Sequence, residues 1–263
     1  MKLHINPARQ GFQWAKLGVK TFFRQPLALS GLFFMFLALM SVVSRIPLIG
    51  TVVALMLLPG ITLGLMIAAR EAHDGKFPMP LILFSAFRAG QEKLQAMLML
   101  GGIYALGFLM VMGICTLVGD DQFANLYLNG GAINAEIMED PDFQASMWTA
   151  SVLFLPLSML FWHAPALTYW HGISPIKSLF FSFFACLKNW KSLTMYGLTW
   201  VGFFLGLAIG VALLGSLVGS PSFIVVASLA STLLLVAGFF VSIYFSFADS
   251  FVADFASGDD HAA

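Results

Sequence analysis

Histidines are the residues of this 263-residue sequence best suited to acid–base or metal chemistry at neutral pH. His163 and His171 share one apolar stretch, but eight residues separate them by about 12 Å along a helix, too far to chelate one metal ion. His73, in another connection, could approach His171, but no Cys or carboxylate stands at ligand spacing. We therefore expect no metal site. Pro165 should kink the helix beside His163, and these two residues mark an expected cavity.

Carboxylates are concentrated in one connection, residues 119–146, which contains no Lys or Arg. A hard cation prefers several such ligands, but the spacing fits no known calcium loop. We expect a solvated connector. Its acidic residues are Asp120, Asp121, Glu136, Glu139, Asp140 and Asp142.

Catalytic motifs are absent from the sequence. It has no His-Glu-x-x-His zinc motif, no Gly-x-Ser-x-Gly nucleophile elbow and no P-loop. The sequence therefore predicts no catalytic residue, no cofactor and no enzyme activity.

The composition indicates whether most of the chain lies in water or in lipid. Hydrophobic residues make up 59% of the sequence and charged residues only 10%, against roughly 25% charged in a soluble domain. A formal net charge of zero also disfavours nucleic acid as a partner. The chain is therefore predicted to be an integral membrane protein in contact with the lipid bilayer.

Long charge-free runs define the spanning elements, because a helix needs about 20 apolar residues to cross a bilayer. The runs are apolar on every side, which favours helices over a barrel. We predict an all-α polytopic fold with six transmembrane helices. They cover residues 26–44, 46–69, 94–118, 147–171, 193–219 and 221–248.

Cations set the expected orientation. Twelve of the thirteen Lys and Arg residues lie before the first span, between the second and third spans, or between the fourth and fifth. Arg45 is the exception. Because Lys and Arg remain on the cytoplasmic side, both termini are expected to be cytoplasmic.

Each cytoplasmic segment carries an aromatic-rich stretch that meets a cation just before a span, which predicts three interfacial helices. The third is nearly apolar all round, so it could instead lie under the bundle. We expect one domain over 1–258, with internal units 7–69, 78–171 and 173–248, and a polar tail over 259–263. The predicted membrane-interface residues are Arg9, Trp14, Lys16, Lys20, Arg24, Arg88, Lys188 and Trp190.

Small residues repeat every four positions in two spans, which lets another helix approach closely. The rows are Gly60 and Gly64 in the second span, and Gly202, Gly206 and Gly210 in the fifth. Contact among the chain's own helices is one interpretation. A homo-oligomer or a membrane-protein partner is the other.

Several segments resemble an uncharacterised family of six-span bacterial inner-membrane proteins. They are 6–14 (NPARQGFQW), 23–27 (FRQPL), 164–167 (APAL), 171–175 (HGISP) and 185–190 (ACLKNW). The resemblance covers nearly the whole chain and implies the inner membrane as location, but it supplies no functional residues. The repeated short-helix-plus-hairpin plan is more loosely similar to membrane domains attached to some glycerophosphodiester phosphodiesterases.

Two functions remain open. The leading hypothesis is a non-enzymatic accessory or interaction protein, because the spans are uncharged and the short helices are amphipathic. The alternative is a carrier or channel for a neutral or amphipathic molecule such as a lipid, because prolines interrupt the fourth span.

The orientation can be tested with a reporter that is active only outside the cytoplasm. Fused at Gly130, between the third and fourth spans, the reporter should be active, whereas a fusion at the C-terminus should be silent. The reverse pattern would show that the charge asymmetry has been misread.

Overall fold

A computed structural model describes residues 2–119, 121–130 and 134–252. Twelve α-helices and two short strands are described there, with a 3-10 helix, Pro80–Phe84, before α4. The strands are β1 (Lys2–Leu3) and β2 (Phe251–Val252). The helices are α1 (Arg9–Arg24), α2 (Pro26–Ser44), α3 (Gly50–His73), α4 (Ser85–Arg88), α5 (Gln91–Val118), α6 (Gln122–Asn129), α7 (Ala135–Glu139), α8 (Pro141–Phe161), α9 (Ala164–His171), α10 (Pro175–Lys188), α11 (Trp190–Val218) and α12 (Pro221–Ser250).

The predicted all-α fold with six spans is confirmed. Six helical segments are long and apolar enough to cross a membrane: α2, α3, α5, α8 with α9, α11 and α12. The fourth begins at Pro141 instead of residue 147 because Asp140 caps it. One carboxylate oxygen of Asp140 accepts from the backbone N–H groups of Asp142 (2.8 Å) and Phe143 (3.0 Å).

The chain divides into two compact units that do not follow the sequence order. Unit 1 takes its described residues from 1–36, 64–83 and 184–263, and unit 2 from 37–63 and 84–183. The three-unit division stays a prediction, and the predicted tail 259–263 lies outside the described residues.

Unit 1 is built on α1, which packs along α11 and α12. Two glycines allow the close approach. Gly11 lies against the backbone of α11 at Ser192 and Tyr196, and Gly18 lies against Ser242 of α12. A β-carbon at either glycine would collide with these groups, so α1 is held by helix packing as well as by any lipid.

Trp14, which the sequence predicts at the membrane interface, is buried among helices in unit 1. Its side chain is 0% exposed, and its ring meets the ring of Tyr196 edge-on at 6.2 Å. An amphipathic stripe can be covered by other helices as well as by lipid, and here α11 and α12 cover it.

The two ends of unit 1 meet in a small antiparallel pairing. Lys2 pairs with Val252 and Leu3 with Phe251, and the N–H of His4 donates to the Ser250 carbonyl at 3.0 Å. The start of the described chain therefore lies beside the end of α12.

Unit 2 has an aromatic core between α5 and α8. Phe108, Met112 and Cys115 of α5 are buried in one cluster with Phe123 of α6 and Phe143 of α8. The connection between α5 and α8 was expected to be a solvated connector. Part of it is instead folded, because α6 contributes Phe123 to this core. Asp120 lies outside the described residues.

The short segments that precede α5 and α11 each contact an earlier span. Leu83, just before α4, lies against Gly64 of α3, and a β-carbon on Gly64 would come within 2.6 Å of the Leu83 α-carbon. Ser182 of α10 bonds the Met159 carbonyl of α8. The segment before α5 thus contacts α3 and the segment before α11 contacts α8, whereas α1 packs against α11 and α12.

Candidate functional site

The fourth span is broken inside unit 2. Helix α8 ends at Phe161, α9 begins at Ala164, and Pro165 occupies the first turn of α9. Proline lacks an N–H and clashes with the preceding turn, so a straight helix cannot continue through this position. The break leaves backbone groups that need partners.

Ser182 of α10 supplies two of those partners. Its hydroxyl donates to the Met159 carbonyl at 2.8 Å and accepts from the His163 N–H at 2.9 Å. The side chain of Ser182 is fully buried. One hydroxyl thereby pairs a carbonyl and an N–H on the two sides of the break.

Ser178, a second serine of α10, is hydrogen-bonded to α9 after the break. The Thr168 hydroxyl donates to the Ser178 hydroxyl at 3.0 Å, and Ser178 donates to the Pro175 carbonyl at 2.7 Å. The segments 164–167 and 171–175 that the sequence singles out thus belong to one fixed elbow.

The sequence predicts a cavity beside His163 and Pro165, but the two cavities described below lie elsewhere. His163 is 2% exposed and Pro165 is also buried, and neither residue lines either cavity. Prolines break a span where neighbouring side chains replace the lost bonds, and here α10 does so.

The larger described cavity is an open cleft elsewhere in unit 2, with a volume of about 790 Å³. Helices α2, α3, α5, α6 and α8 all contribute to its wall. The lining residues are Leu37, Met40, Ser41, Ser44, Thr51, Ala54, Leu55, Leu58, Tyr104, Phe108, Tyr127, Leu128 and Phe154.

Hydroxyl groups are the polar side chains of the cleft, and none of its lining residues is charged. Ser41, Ser44 and Thr51 come from the end of α2 and the start of α3, and Tyr104 and Tyr127 from α5 and α6. Leucine and phenylalanine form most of the remaining wall. Such a lining suits a molecule with an apolar body and an uncharged, hydrogen-bonding head.

Sequence reasoning did not find this cleft. Its serine and threonine hydroxyls lie near the ends of apolar runs, where such residues are common, and its tyrosines belong to other helices. The available signal was their clustering, since Ser41 and Ser44 at the end of α2 face the same short turn as Thr51 in α3.

A separate polar cluster ties the N-terminal segment of unit 1 to α11. The buried Asn189 side chain accepts from the Asn6 N–H at 2.7 Å and donates to the His4 carbonyl at 3.1 Å. Ser192 donates to the carbonyls of Asn6 (2.9 Å) and Pro7 (3.1 Å). The sequence segments 6–14 and 185–190 therefore meet in the fold.

Asp249, at the end of α12, forms hydrogen bonds with the first part of α1. One of its carboxylate oxygens accepts from the Gln10 amide at 2.5 Å and from the Trp14 indole N–H at 2.7 Å. The carboxylate is thus engaged by neutral donors of α1 at the end of α12.

The predicted interface cations are exposed. Arg24 also donates to the His73 carbonyl at 2.7 Å, and Trp190 is 58% exposed beside Lys191, whose ammonium lies 5.7 Å from the ring centroid. The exposed cations of this set are Arg9, Lys16, Lys20, Arg24, Arg88 and Lys188.

The two glycine rows have different surroundings. Gly60 and Gly64 lie against Phe87 and Leu83 respectively. In the fifth span, no group of the described chain lies within 4 Å of a β-carbon built on Gly202, Gly206 or Gly210. The described helices use the first row for internal packing but do not use the second.

Candidate reactive groups are few in the described part of the chain. No group of three His, Cys, Asp or Glu side chains there could hold a metal ion. Burial raises the pKa of the Cys186 thiol in α10 to about 12, so this cysteine is protonated at neutral pH and a poor nucleophile.

Comparison with known proteins decides the family. The chain is 35% identical over 255 residues to a Burkholderia thailandensis protein named a probable inner membrane protein, covering 95% of this chain and 94% of that one. This chain belongs to the same family. No family model and no solved structure matches it. With six apolar spans, this family member is a multi-pass inner-membrane protein in contact with lipid.

The likeness to phosphodiesterase-linked membrane domains stays a prediction. The relative's name gives a location and no activity.

Ser182→Ala tests the elbow. The change removes the hydrogen bonds of Ser182 to the Met159 carbonyl and the His163 N–H, and each such bond contributes about 0.5–1.5 kcal/mol. We expect a clear fall in thermal unfolding temperature in detergent. Ser158→Ala is the control, because Ser158 is exposed and bonds only the Leu155 carbonyl of its own helix. Equal stability of the two variants would contradict the role of Ser182.

Proposed function

We propose that this protein is a non-enzymatic membrane protein that binds a neutral, amphipathic lipid in the cleft of unit 2. The observation that carries the proposal is the uncharged cleft itself, with hydroxyls of Ser41, Ser44 and Thr51 at one part of an otherwise largely apolar wall. This function corresponds to the second hypothesis drawn from the sequence, a carrier or channel for a neutral or amphipathic molecule such as a lipid.

The size and chemistry of the cleft support a lipid. Its volume of about 790 Å³ lies within the range of roughly 300–1,000 Å³ typical of small-molecule sites. A charged headgroup would lose hydration there without gaining a charged partner from the lining, whereas an uncharged hydroxyl or carbonyl head would gain hydrogen bonds. Leu55, Leu58 and Phe154 offer apolar contact to a hydrocarbon tail.

A non-catalytic role is supported by the lining of the same cleft. It contains no His, Cys, Asp, Glu, Lys or Arg, the residue types that usually transfer protons or attack a substrate. We infer binding or transfer of the lipid without covalent change and without a cofactor.

We also propose that both termini are cytoplasmic. The pairing of β1 with β2 supports placing the two ends on one side of the membrane, and the cations of the N-terminal segment favour the cytoplasmic side. The reporter fusion at Gly130 tests this orientation.

The cleft can be blocked with Ala54→Trp, which fills it from α3. Protein purified from native membranes should retain an uncharged amphipathic lipid in near-stoichiometric amount, measured by extraction and mass spectrometry. Ala54→Trp should lose most of it. Thr51→Val, which removes one hydroxyl and keeps the shape, should lower the affinity for the lipid about fivefold and so reduce the retained amount, since one hydrogen bond is worth roughly 1 kcal/mol.

Ala212→Trp provides the matched control, because Ala212 is an exposed residue of α11 and the mutation adds the same bulk. It should retain the lipid. An identical lipid profile in wild type, Ala54→Trp and Ala212→Trp would refute the proposal.

The accessory or interaction role is the second candidate. The observation that favours it is the open face of α11, where the described chain places nothing against Gly202, Gly206 or Gly210. Such a row admits a second helix at close range, from another copy or from a partner.

Gly206→Leu separates this role from simple lipid exposure. If a helix of another chain packs on the row, the variant should lose the oligomer or the co-purifying partner, measured by particle mass in detergent. Gly102→Leu in α5 is the control, since a β-carbon there also meets open space. A particle mass unchanged in both variants removes the accessory role from this face.

A further inference from the structure

A second cavity of about 250 Å³ lies in unit 1 between α1, α11 and α12. Val19, Phe23, Trp200, Leu207 and Leu234 supply apolar wall. The hydroxyl of Ser231, which also lines the cavity, donates to the Ala227 carbonyl of its own helix. An apolar cavity holds water poorly and accepts hydrocarbon. Its size suits a segment of one acyl chain.

Two lysines of α1 lie on the same side of the helix as two residues of the cavity wall. Lys16, Val19, Lys20 and Phe23 follow the spacing i, i+3, i+4 and i+7, which places them on one side of the helix. Val19 and Phe23 line the cavity, while Lys16 and Lys20 are exposed. Apolar wall and positive charge are therefore adjacent.

The charges of these lysines are available to a ligand. Among the described residues, no hydrogen bond or ion pair engages Lys16 or Lys20, and α1 contains no acidic residue. Asp249 bonds instead to Gln10 and Trp14, and Arg24 is committed to the His73 carbonyl.

We propose that unit 1 binds one anionic phospholipid, with part of an acyl chain in this cavity and the phosphate held by Lys16 and Lys20. Charge complementarity selects the headgroup, because two free ammonium groups attract a net negative lipid more strongly than a zwitterionic one. The apolar cavity anchors the chain beside them. This site is independent of the cleft in unit 2, whose lining is uncharged.

Lipid titration of the full-length protein in a non-ionic detergent tests the site. Native mass spectrometry would count bound phosphatidylglycerol or phosphatidylcholine with the same acyl chains. Wild type should bind one phosphatidylglycerol more tightly than phosphatidylcholine, and added salt should weaken that binding. Lys16→Gln with Lys20→Gln should weaken it about thirtyfold, from about 1 kcal/mol per lysine.

The control removes the same charge elsewhere in unit 1, with Lys188→Gln and Lys191→Gln, and should leave the affinity nearly unchanged. Leu207→Trp tests the cavity by filling it. Phe23→Ala tests the same wall with little risk to folding, because Phe23 is 71% exposed. Both should weaken binding severalfold.

Three results would overturn the proposal. Equal affinity for the two lipids would exclude charge selection. An equal loss of affinity in the variant with Lys188→Gln and Lys191→Gln would show that only the overall positive charge matters. Unchanged binding in both Leu207→Trp and Phe23→Ala would remove the acyl chain from the cavity.

Discussion

Hydrocarbon offers no hydrogen bonds, so every backbone N–H and C=O that a helix releases inside a span must find a partner in the protein. The break between α8 and α9 shows this constraint most clearly. Ser182 faces the break from α10 and pairs both the Met159 carbonyl and the His163 N–H. The position of α10 in unit 2 follows, because moving it would expose those groups to lipid. A nearly apolar helix between two spans is thereby part of the elbow.

Hydrogen bonds to buried side chains also fix the N-terminal segment of unit 1, outside the spans. Residues 4–7 form no helix, and their carbonyls need donors near the start of α11. Asn189 and Ser192 provide them, while Asn189 also accepts the Asn6 N–H. Once this segment is fixed, Gly11 and Gly18 let α1 pack along α11 and α12. The lysine side of α1 is then turned away from the packed glycines, which leaves it open to an anionic lipid.

The sequence predicts the six spans well because length and hydropathy alone decide whether a helix can cross a bilayer. It does not predict what covers an amphipathic face. Tryptophan is typical of membrane interfaces, yet other helices cover Trp14. The apolar stripe of an amphipathic helix can pack equally well against lipid or against another helix. The cleft could not be predicted from the sequence either. Thr51 and Tyr104 belong to different helices, and only tertiary structure brings their hydroxyls to one cavity. Phe123 was missed because its acidic surroundings suggested a solvated connector.

The packing of α1 also constrains how unit 1 forms. Gln10 and Trp14 bond Asp249, 239 and 235 residues further along the chain. Trp14 and Gly18 of α1 therefore gain their partners only when α12 is in place, whereas Gly11 packs against α11. The apolar stripe that the sequence assigns to the membrane interface is thus the surface that α11 and α12 cover in unit 1. One amphipathic pattern fits either environment because lipid and helix surface are both apolar.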